Sequence, residues 1–425
     1  MSRPHIPPPR IDLATLPPLI ATNEPNSFAK FTMEGRDTRI LQDLEAAPYF
    51  SPDLKRGFKK FRAEILNGAI QPLREDAPDV EFWKHVSKPY IGKSWLDVPW
   101  FWAETFFYRR ILEIVGYFQI GAWHERDPFA WQKDAELKPD AAPARVRALL
   151  RPSPTLGGGL GVRERFEHLL YSALWGNRVD LSYNVERQVG RAARPEDERA
   201  NLLVDDAPRV AEFCATRPIK KLLYVCDNAG TELALDLVFM DFLLRADVGT
   251  NLHGRPMAEK IIVHLKPQPF YVSDAMPQDV EHTLAAFDQA QGEANDEIRA
   301  LSKRLREHLK TKRLELRVHW FYPTPLHFFE MPDDLWNMFR AADFAILKGD
   351  VNYRRVVGDA HWKPTIAFEY ATRYFPIPFV CLRTLKSDVI VGLRAEQVAE
   401  LERQDSQWRV NGKRGVAQAN LRTEH

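Results

Sequence analysis

The spacing of apolar residues changes near residue 200, and this change limits the possible folds more than any other feature of the chain. From Phe28 to about Leu174 the apolar side chains recur mostly at helical intervals. Beyond that segment, short apolar runs bounded by polar or turn residues predict strands at Ile219–Cys226, Lys260–Leu265, Leu314–Val318, Phe344–Leu347 and Pro378–Leu382. Helical patterns are predicted at Thr231–Leu244, Gln278–Gln289, Asn295–Leu309 and Pro332–Ala341.

Strands that alternate with helices predict an α/β fold in which a largely parallel sheet is covered on both faces. The polar segment 183–201 has little to bury and predicts a domain boundary near residue 200. We therefore expect a helical N-terminal domain over residues 1–200 and a sheet-containing domain over residues 201–425. In such sheets ligands bind beyond the carboxyl ends of the strands, so we expect the functional residues to lie there.

Charge and cysteine content exclude several classes of protein. The 59 basic and 58 acidic residues leave a net charge of +1, without the broad positive field of a dedicated nucleic-acid binder. Three cysteines without C-x-x-C spacing indicate neither a disulfide framework nor a structural zinc site, and they favour a cytoplasmic location. No signal segment and no membrane span is predicted. We expect no nucleic-acid, membrane or obligate protein partner.

The first candidate site follows the predicted strand that ends in YVC, where the sequence continues as DNAGTE. Asp227 and Asn228 place hard oxygen donors at a strand end, and they form a partial set of ligands for a divalent cation such as Mg²⁺ or Mn²⁺. Asp274, just past the next strand, is the candidate second carboxylate. The alternative is that Asp227 only caps the following helix and Asn228 only accommodates a turn.

Cations and amides follow two further strands. The segment KGDVNYR offers donors suited to phosphate oxygens, and its Gly349 lets the backbone approach a ligand closely. RTLK adds Arg383 and Lys386 at another strand end. A carboxylate-held metal opposite a basic clamp suits phosphoryl chemistry, whereas the alternative is a solvated loop with surface ion pairs. The residues of the first segment that could contact a substrate are Lys348, Asp350, Asn352, Tyr353 and Arg354.

Other site types lack their sequence patterns. No G-x-G-x-x-G turn or G-x-x-x-x-G-K-[ST] loop indicates a nucleotide site. No G-x-S-x-G or H-E-x-x-H motif indicates a hydrolase triad or a zinc protease.

The segments DNAGTELALDLVFMDFLL, VSD, LKGDVNYRRVVGD and RTLK, in this order, resemble the metal-dependent damage-control phosphatases of the domain of unknown function 89 family. RTLK resembles the RTxK signature of the branch that is also labelled protein-glutamate methyltransferase. FTMEGRDTRIL, PWFWAETFFYRRI, DPF and LWGNRVDLS extend the resemblance through the N-terminal half. Thr231 and Val351 stand where the family often has an aromatic residue and leucine, and neither change removes a donor.

The resemblance implies a helical N-terminal domain packed on a C-terminal α/β/α domain. It implies a metal, with manganese, cobalt, nickel or magnesium as candidates, bound by Asp227, Asn228 and Asp274. It further implies substrate contacts from Glu232, from the segment 350–354 and from Lys386.

Direct attack by water is the expected mechanism, because the D-x-D spacing of aspartyl-phosphate enzymes is absent. The expected substrate is a small phosphorylated metabolite, with fructose 1-phosphate-like sugar phosphates first. Glu232, Asn177 and Asp180 are candidates for binding its hydroxyl groups. Two alternatives remain open, namely an S-adenosylmethionine-dependent protein-glutamate carboxyl methyltransferase and a non-catalytic metabolite-binding protein.

Overall fold

The structure is a computed structural model that describes residues 6–150, 161–176 and 199–422. The described N-terminal half contains a π-helix at Thr32–Asp37 and the helices α1 Phe28–Phe31, α2 Thr38–Ala46, α3 Pro52–Asn67, α4 Val80–Ser87, α5 Trp100–Val115, α6 Ala130–Ala135, α7 Ala142–Leu150 and α8 Val162–Trp175. The α-helices described after residue 199 are α9 Ala207–Thr216, α10 Gly230–Leu244, α11 Pro277–Asp288, α12 Asp296–Lys310, α13 Asp333–Arg340, α14 Gly349–Val357, α15 Phe368–Ala371 and α16 Ala395–Gln404.

A seven-stranded sheet organises the second half of the chain. Its strands are β1 Leu202–Asp205, β2 Lys221–Val225, β3 Lys260–Leu265, β4 Leu314–Val318, β5 Phe344–Lys348, β6 Phe379–Thr384 and β7 Gly415–Asn420. The spatial order is β1-β7-β6-β5-β2-β3-β4, and every pairing is parallel except that of β6 with β7. The predicted α/β class with a largely parallel sheet is therefore confirmed.

All five predicted strands and all four predicted helices are present, with ends that differ by at most two residues. The sequence analysis missed β1 and β7. β1 is four residues long and only half buried, and the buried strand β7, GVAQAN, has mostly small or polar side chains. The apolar run of β1 is only three residues long, Leu202 to Val204, and β7 has none, so neither segment reaches the four or more residues of the strand pattern.

Alternate residues of the central strands face two separate apolar cores. Leu223 and Val225 of β2 belong to the core that contains the aromatic side chains of α3 to α5. Leu222 and Tyr224 belong to the core beneath α8, α9 and α10. Because successive side chains of a strand point to opposite faces, this alternation buries both faces of the sheet.

Helices from before residue 200 pack on both faces of the sheet, since α3 to α5 contribute to one core and α7 and α8 to the other. The division into domains 1–200 and 201–425 stays a prediction. Within the described ranges, every helix is too short or too polar to span a lipid bilayer.

Candidate active site

The four predicted site segments follow four neighbouring parallel strands. In the sheet, β6, β5, β2 and β3 lie side by side and point in the same direction. Asp227 follows β2, Asp274 lies beyond β3, Gly349 follows β5 and Lys386 follows β6. The sheet therefore brings these segments to one edge, as the sequence analysis expects.

Backbone pairing brings the two segments of the predicted metal site together. Asn228 and Asp274 form an isolated antiparallel bridge. The amide of Ala229 donates to the carbonyl of Ser273 over 2.7 Å, and the amide of Ala275 donates to the carbonyl of Asp227 over 2.8 Å. In this bonding pattern the two facing residues have Cα atoms about 4.5 Å apart and direct their side chains to the same side.

A strained turn holds Asp274 in place. The preceding residues Tyr271 and Val272 are buried and have φ angles of 44° and 61°. A left-handed backbone is unusual for any residue with a Cβ and more so for β-branched valine. The Ser273 amide donates to the Tyr271 carbonyl over 2.6 Å, which closes a γ-turn around Val272. Strain of this kind is typical of functional sites.

The side chains at the bridge form a hydrogen-bonded group of oxygen donors. Asn228 Nδ2 donates to Asp227 Oδ2 over 3.0 Å and to Glu232 Oε2 over 2.9 Å. The Ser273 hydroxyl donates to Asn228 Oδ1 over 2.6 Å. An amide oxygen has two lone pairs, so this bond leaves Asn228 Oδ1 able to bind a cation.

The donor set fits a hard divalent cation. Among the described residues, no group of three or more His, Cys, Asp or Glu side chains forms a metal-binding cluster. The predicted set has two carboxylates, Asp227 and Asp274, and takes its third oxygen from the Asn228 amide. Such a set suits Mg²⁺ or Mn²⁺, which keep further coordination positions for water and substrate phosphate. The assignment of these three residues stays a prediction.

Lys266, which the sequence analysis missed, links the two acidic segments. Its ammonium group lies 3.0 Å from Asp274 Oδ2 and donates to the carbonyl of Cys226 over 2.7 Å. Both Lys266 and Asp274 are buried. The buried ion pair fixes the Asp274 carboxylate next to the end of β2, and nothing in the segment KPQPFYVSD distinguishes this lysine from a surface lysine.

Lys348 lies inside the protein and neutralises two carboxylates. It is fully buried, and its Nζ donates to Glu232 Oε1 over 2.7 Å, to Asp236 Oδ1 over 2.8 Å and to the Ala173 carbonyl over 2.7 Å. Burial raises the pKa of Asp236 to about 7 although Lys348 lowers it. The contact with Glu232 places Lys348 behind the predicted metal ligands, and its direct contact with substrate stays a prediction.

Asp350 connects the KGDVNYR segment to the RTLK segment. Its Oδ1 accepts bonds from Arg383 Nε over 2.7 Å, from the Lys386 amide over 3.2 Å and from the Ser387 hydroxyl over 3.0 Å. Burial opposes ionisation of Asp350, but the cations Arg383 and Arg354 outweigh it, so its pKa lies below the ordinary value. Asp350 is therefore an anionic anchor that fixes the backbone of Lys386.

The remaining predicted substrate residues bond to the protein. Asn352 Nδ2 donates to the Lys348 carbonyl over 2.8 Å, and the Tyr353 hydroxyl donates to Gln418 Oε1 over 3.0 Å. Arg354 forms a two-point pair with Asp359 over 2.8 and 2.9 Å. Their contacts with substrate stay predictions. Asn177 and Asp180 lie outside the described residues.

Two contacts reach the site from α6 and from the residue that follows it, Glu136, and the sequence analysis missed both. Lys133 is buried, and its Nζ donates to the Asp274 carbonyl over 2.8 Å. Glu136 Oε2 accepts the Thr231 amide over 2.7 Å at the start of α10. Since a carboxylate stabilises a helix N-terminus, Glu136 occupies a position that could otherwise attract an anion.

A cavity of about 460 Å³ lies away from these strand ends. The proline-rich segment around Pro17 and Pro18 forms part of its wall, together with Phe101 and His327. None of the predicted site residues lines this cavity, although its wall includes Asp359, the partner of Arg354.

Comparison with known proteins places the chain beside a group of phosphatases. A family model described as the damage-control phosphatase ARMT1-like domain matches residues 36–401. Damage-control phosphatase ARMT1 of Danio rerio is 32% identical over 376 residues, which cover 82% of this chain and 81% of that protein. The protein of the same name from Rattus norvegicus is 28% identical over 448 residues, which cover 96% of this chain and 99% of that protein. A crystal structure of a DUF89 family protein from Pyrococcus horikoshii matches with a TM-score of 0.47 and 15% identity, covering 92% of this chain and 97% of that one.

Proposed function

Because this chain belongs to the damage-control phosphatase ARMT1-like family, we propose that it is a phosphatase that hydrolyses small phosphorylated metabolites with a divalent metal bound by Asp227, Asn228 and Asp274. Family membership supports the phosphatase activity and the role in metabolite damage control. The oxygen donors at the paired loops support the divalent metal, and the buried polar groups around them support a sugar-phosphate substrate.

The observation that carries the proposal is the pairing of Asn228 with Asp274. Two loops that are 46 residues apart in the sequence form an antiparallel bridge, and these two loops carry the two carboxylates and the amide oxygen of the proposed ligand set. A helix-capping role for Asp227 would not need Asp274 opposite. A strained turn before Asp274 and a buried lysine beside it also favour a functional role over a capping role.

The chain's own residues would bind and orient the phosphate. Lys386 is the predicted phosphate ligand, and Asp350 holds its backbone at the end of β6. Glu232 keeps Asn228 oriented by accepting its amide N–H, so that the amide oxygen faces away from Glu232. A divalent cation bound here would withdraw charge from the phosphoryl group and lower the pKa of a water molecule. Direct attack by water then needs no phosphorylated side chain.

A sugar phosphate suits the polar groups around the site. Glu232 and Asn228 are buried polar side chains, and a substrate that displaces water from them must replace the lost hydrogen bonds. Hydroxyl groups do so, whereas an acyl chain does not. We therefore expect sugar phosphates similar to fructose 1-phosphate to be better substrates than phospholipids.

The experiment is an assay of phosphate release from a panel of sugar phosphates, an aryl phosphate and a phospholipid, with Mn²⁺, Co²⁺, Ni²⁺ or Mg²⁺ added separately. A parallel assay measures methyl transfer from S-adenosylmethionine to a glutamate-containing protein. The proposal expects metal-dependent hydrolysis with sugar phosphates preferred. If all phosphates are inert while S-adenosylmethionine is consumed, the methyltransferase is the better assignment. Tight binding of a sugar phosphate without turnover would instead indicate a metabolite-binding protein.

A further inference from the structure

We propose that Glu104, on helix α5 of the N-terminal half, is a positioning residue whose single carboxylate fixes both the turn that carries Asp274 and the Arg354 side chain. The proposal rests on the proposed function, because it concerns the same metal and phosphate site. It adds a residue that is distant in sequence from every site segment.

Glu104 is fully buried and makes contacts in three directions. Its Oε2 accepts a bond from Arg354 Nη1 over 2.5 Å and a bond from the Tyr271 hydroxyl over 3.3 Å. Its Oε1 accepts a bond from Arg36, in the π-helix. The Glu104 carboxylate therefore bonds to Tyr271 in the loop after β3, to Arg354 in α14 and to Arg36 in the N-terminal half.

The contact with Tyr271 bears on the predicted metal site. Tyr271 is the first residue of the left-handed pair, and Asp274 follows three residues later. The Tyr271 ring also packs against Tyr108 of α5, with ring centroids 4.8 Å apart. Fixing this side chain at both its ring and its hydroxyl limits rotation of the strained turn. It therefore limits movement of Asp274.

The contact with Arg354 bears on the predicted phosphate side. Arg354 is held by Asp359 on one side and Glu104 on the other, and its guanidinium group lies 3.8 Å from the centre of the Trp100 ring. Trp100 and Glu104 lie on the same helix, one turn apart. Helix α5 therefore sets the direction of Arg354 through both a ring and a carboxylate.

Packing alone does not account for a charged residue at this position. Burying a carboxylate is unfavourable unless its bonds replace the lost hydration, and a well-packed apolar residue is often as stable. Asp37, also fully buried, lies beside Arg36 and adds another acid to the same group. Residues behind a metal site commonly orient its ligands, and their replacement costs roughly 10 to 100-fold in metal affinity or activity.

The test compares three variants of the full-length protein. Glu104→Gln keeps the shape but removes the charge, and Tyr271→Phe removes only the hydroxyl. Glu113→Gln is the matched control, because Glu113 lies on the same helix, and its partners Arg110 and the Arg74 amide both belong to the N-terminal half. Calorimetric titration with Mn²⁺ gives the metal affinity without reference to turnover, and hydrolysis of an aryl phosphate gives KM and kcat.

We expect Tyr271→Phe to weaken Mn²⁺ binding with little change in KM. Glu104→Gln should weaken Mn²⁺ binding by roughly 10 to 100-fold and also raise KM, because it disturbs both contacts. Glu113→Gln should match the wild type.

Wild-type Mn²⁺ affinity and KM in Glu104→Gln would overturn the proposal. If that variant does not fold, unchanged Mn²⁺ affinity in Tyr271→Phe would overturn it. A wild type that binds Mn²⁺ but hydrolyses no phosphate would contradict the proposed function alone. A wild type that binds no Mn²⁺ would contradict both.

Discussion

Gly349 lies directly against the Asp227 carboxylate, and a Cβ atom placed on Gly349 would come within 2.0 Å of Asp227 Oδ2. Gly349 also has a φ of +87°, which side chains rarely adopt. The start of α14 therefore needs glycine for two reasons, and one of them concerns a predicted metal ligand.

Gly349→Ala should displace the Asp227 carboxylate and abolish both metal binding and phosphate hydrolysis. Gly292→Ala is the control, because Gly292 also has a positive φ, +85°, but among the described residues no atom lies within 4 Å of the position that a Cβ would take. Both variants place alanine at a left-handed φ, but only Gly349→Ala also forces a Cβ against a carboxylate, so it should lose more stability in thermal unfolding. Equal activity of the two variants would show that the contact with Asp227 has no functional role.

Lys348→Met should destabilise the protein strongly. The substitution leaves Glu232 and Asp236 buried without their cation, and breaking a buried ion pair typically costs about 3–5 kcal/mol. Adding Asp236→Asn should restore part of the free energy of unfolding, because it removes one of the two uncompensated charges. Denaturant unfolding measures both effects, with the exposed Lys413→Met as control. A stable Lys348→Met variant with reduced phosphate affinity would instead favour a direct substrate contact.

Lys386→Met should lower kcat/KM for a sugar phosphate by roughly 10 to 150-fold, because a charge-assisted bond to phosphate contributes about 1.5–3 kcal/mol. Metal content should be unchanged, since Lys386 is not in the predicted ligand set. Steady-state kinetics and metal analysis of Lys386→Met and Lys413→Met provide the comparison. Loss of bound metal in Lys386→Met alone would mean that this lysine supports the metal site.

The sequence was sufficient to predict the polar residues at the strand ends, but not the buried side chains that hold those residues in place. The segments around Asp227, Gly349 and Lys386 each follow an apolar run, and parallel pairing brings such ends together. Glu104 could not be found in this way, because its partners Tyr271 and Arg354 are distant in sequence and meet it only when α5 packs on the sheet. Lys266 could not be found either, because nothing in the sequence shows that it is buried between Asp274 and the end of β2. A buried ion pair has no local pattern, whereas a strand followed by a polar turn does.

The sequence is also not sufficient to predict the roles of the cations in the KGDVNYR and RTLK segments. Lysine and arginine after a strand indicate positive charge at an edge of the sheet, but they do not show which carboxylates already pair with them. Lys348 and Arg354 both prove to be buried ion-pair partners. Exposure and ion pairing depend on how the whole chain packs. The sequence alone therefore could not show which of these cations contact substrate and which pair with buried carboxylates.

The buried Asp37 carboxyl group should make the stability of the protein depend on pH. Burial, with a contribution from Glu104, raises the pKa of Asp37 to about 7 although Arg36 lowers it. Between about pH 4 and pH 7 the folded protein keeps this proton while the unfolded chain loses it. The contribution of Asp37 to stability therefore falls as the pH rises through this range.

Asp37→Asn should reduce the loss of stability between pH 5 and pH 7 by up to about 1.4 kcal/mol per pH unit. Some dependence should remain, since the pKa of Asp236 is also raised to about 7. The exposed Asp53→Asn is the control and should behave as the wild type. Urea unfolding at several pH values measures the slope, and an identical slope in Asp37→Asn would contradict the assignment.

The most direct measurement is the metal content and phosphate release of the wild type and of Asp227→Asn, each before and after chelation. We predict that the wild type binds a divalent ion, that chelation abolishes hydrolysis and that adding Mn²⁺ restores it. Asp227→Asn should lack both metal and activity, whereas Asp53→Asn should keep both. Full hydrolysis by chelated, metal-free wild type, or wild-type metal content and activity in Asp227→Asn, would contradict the account.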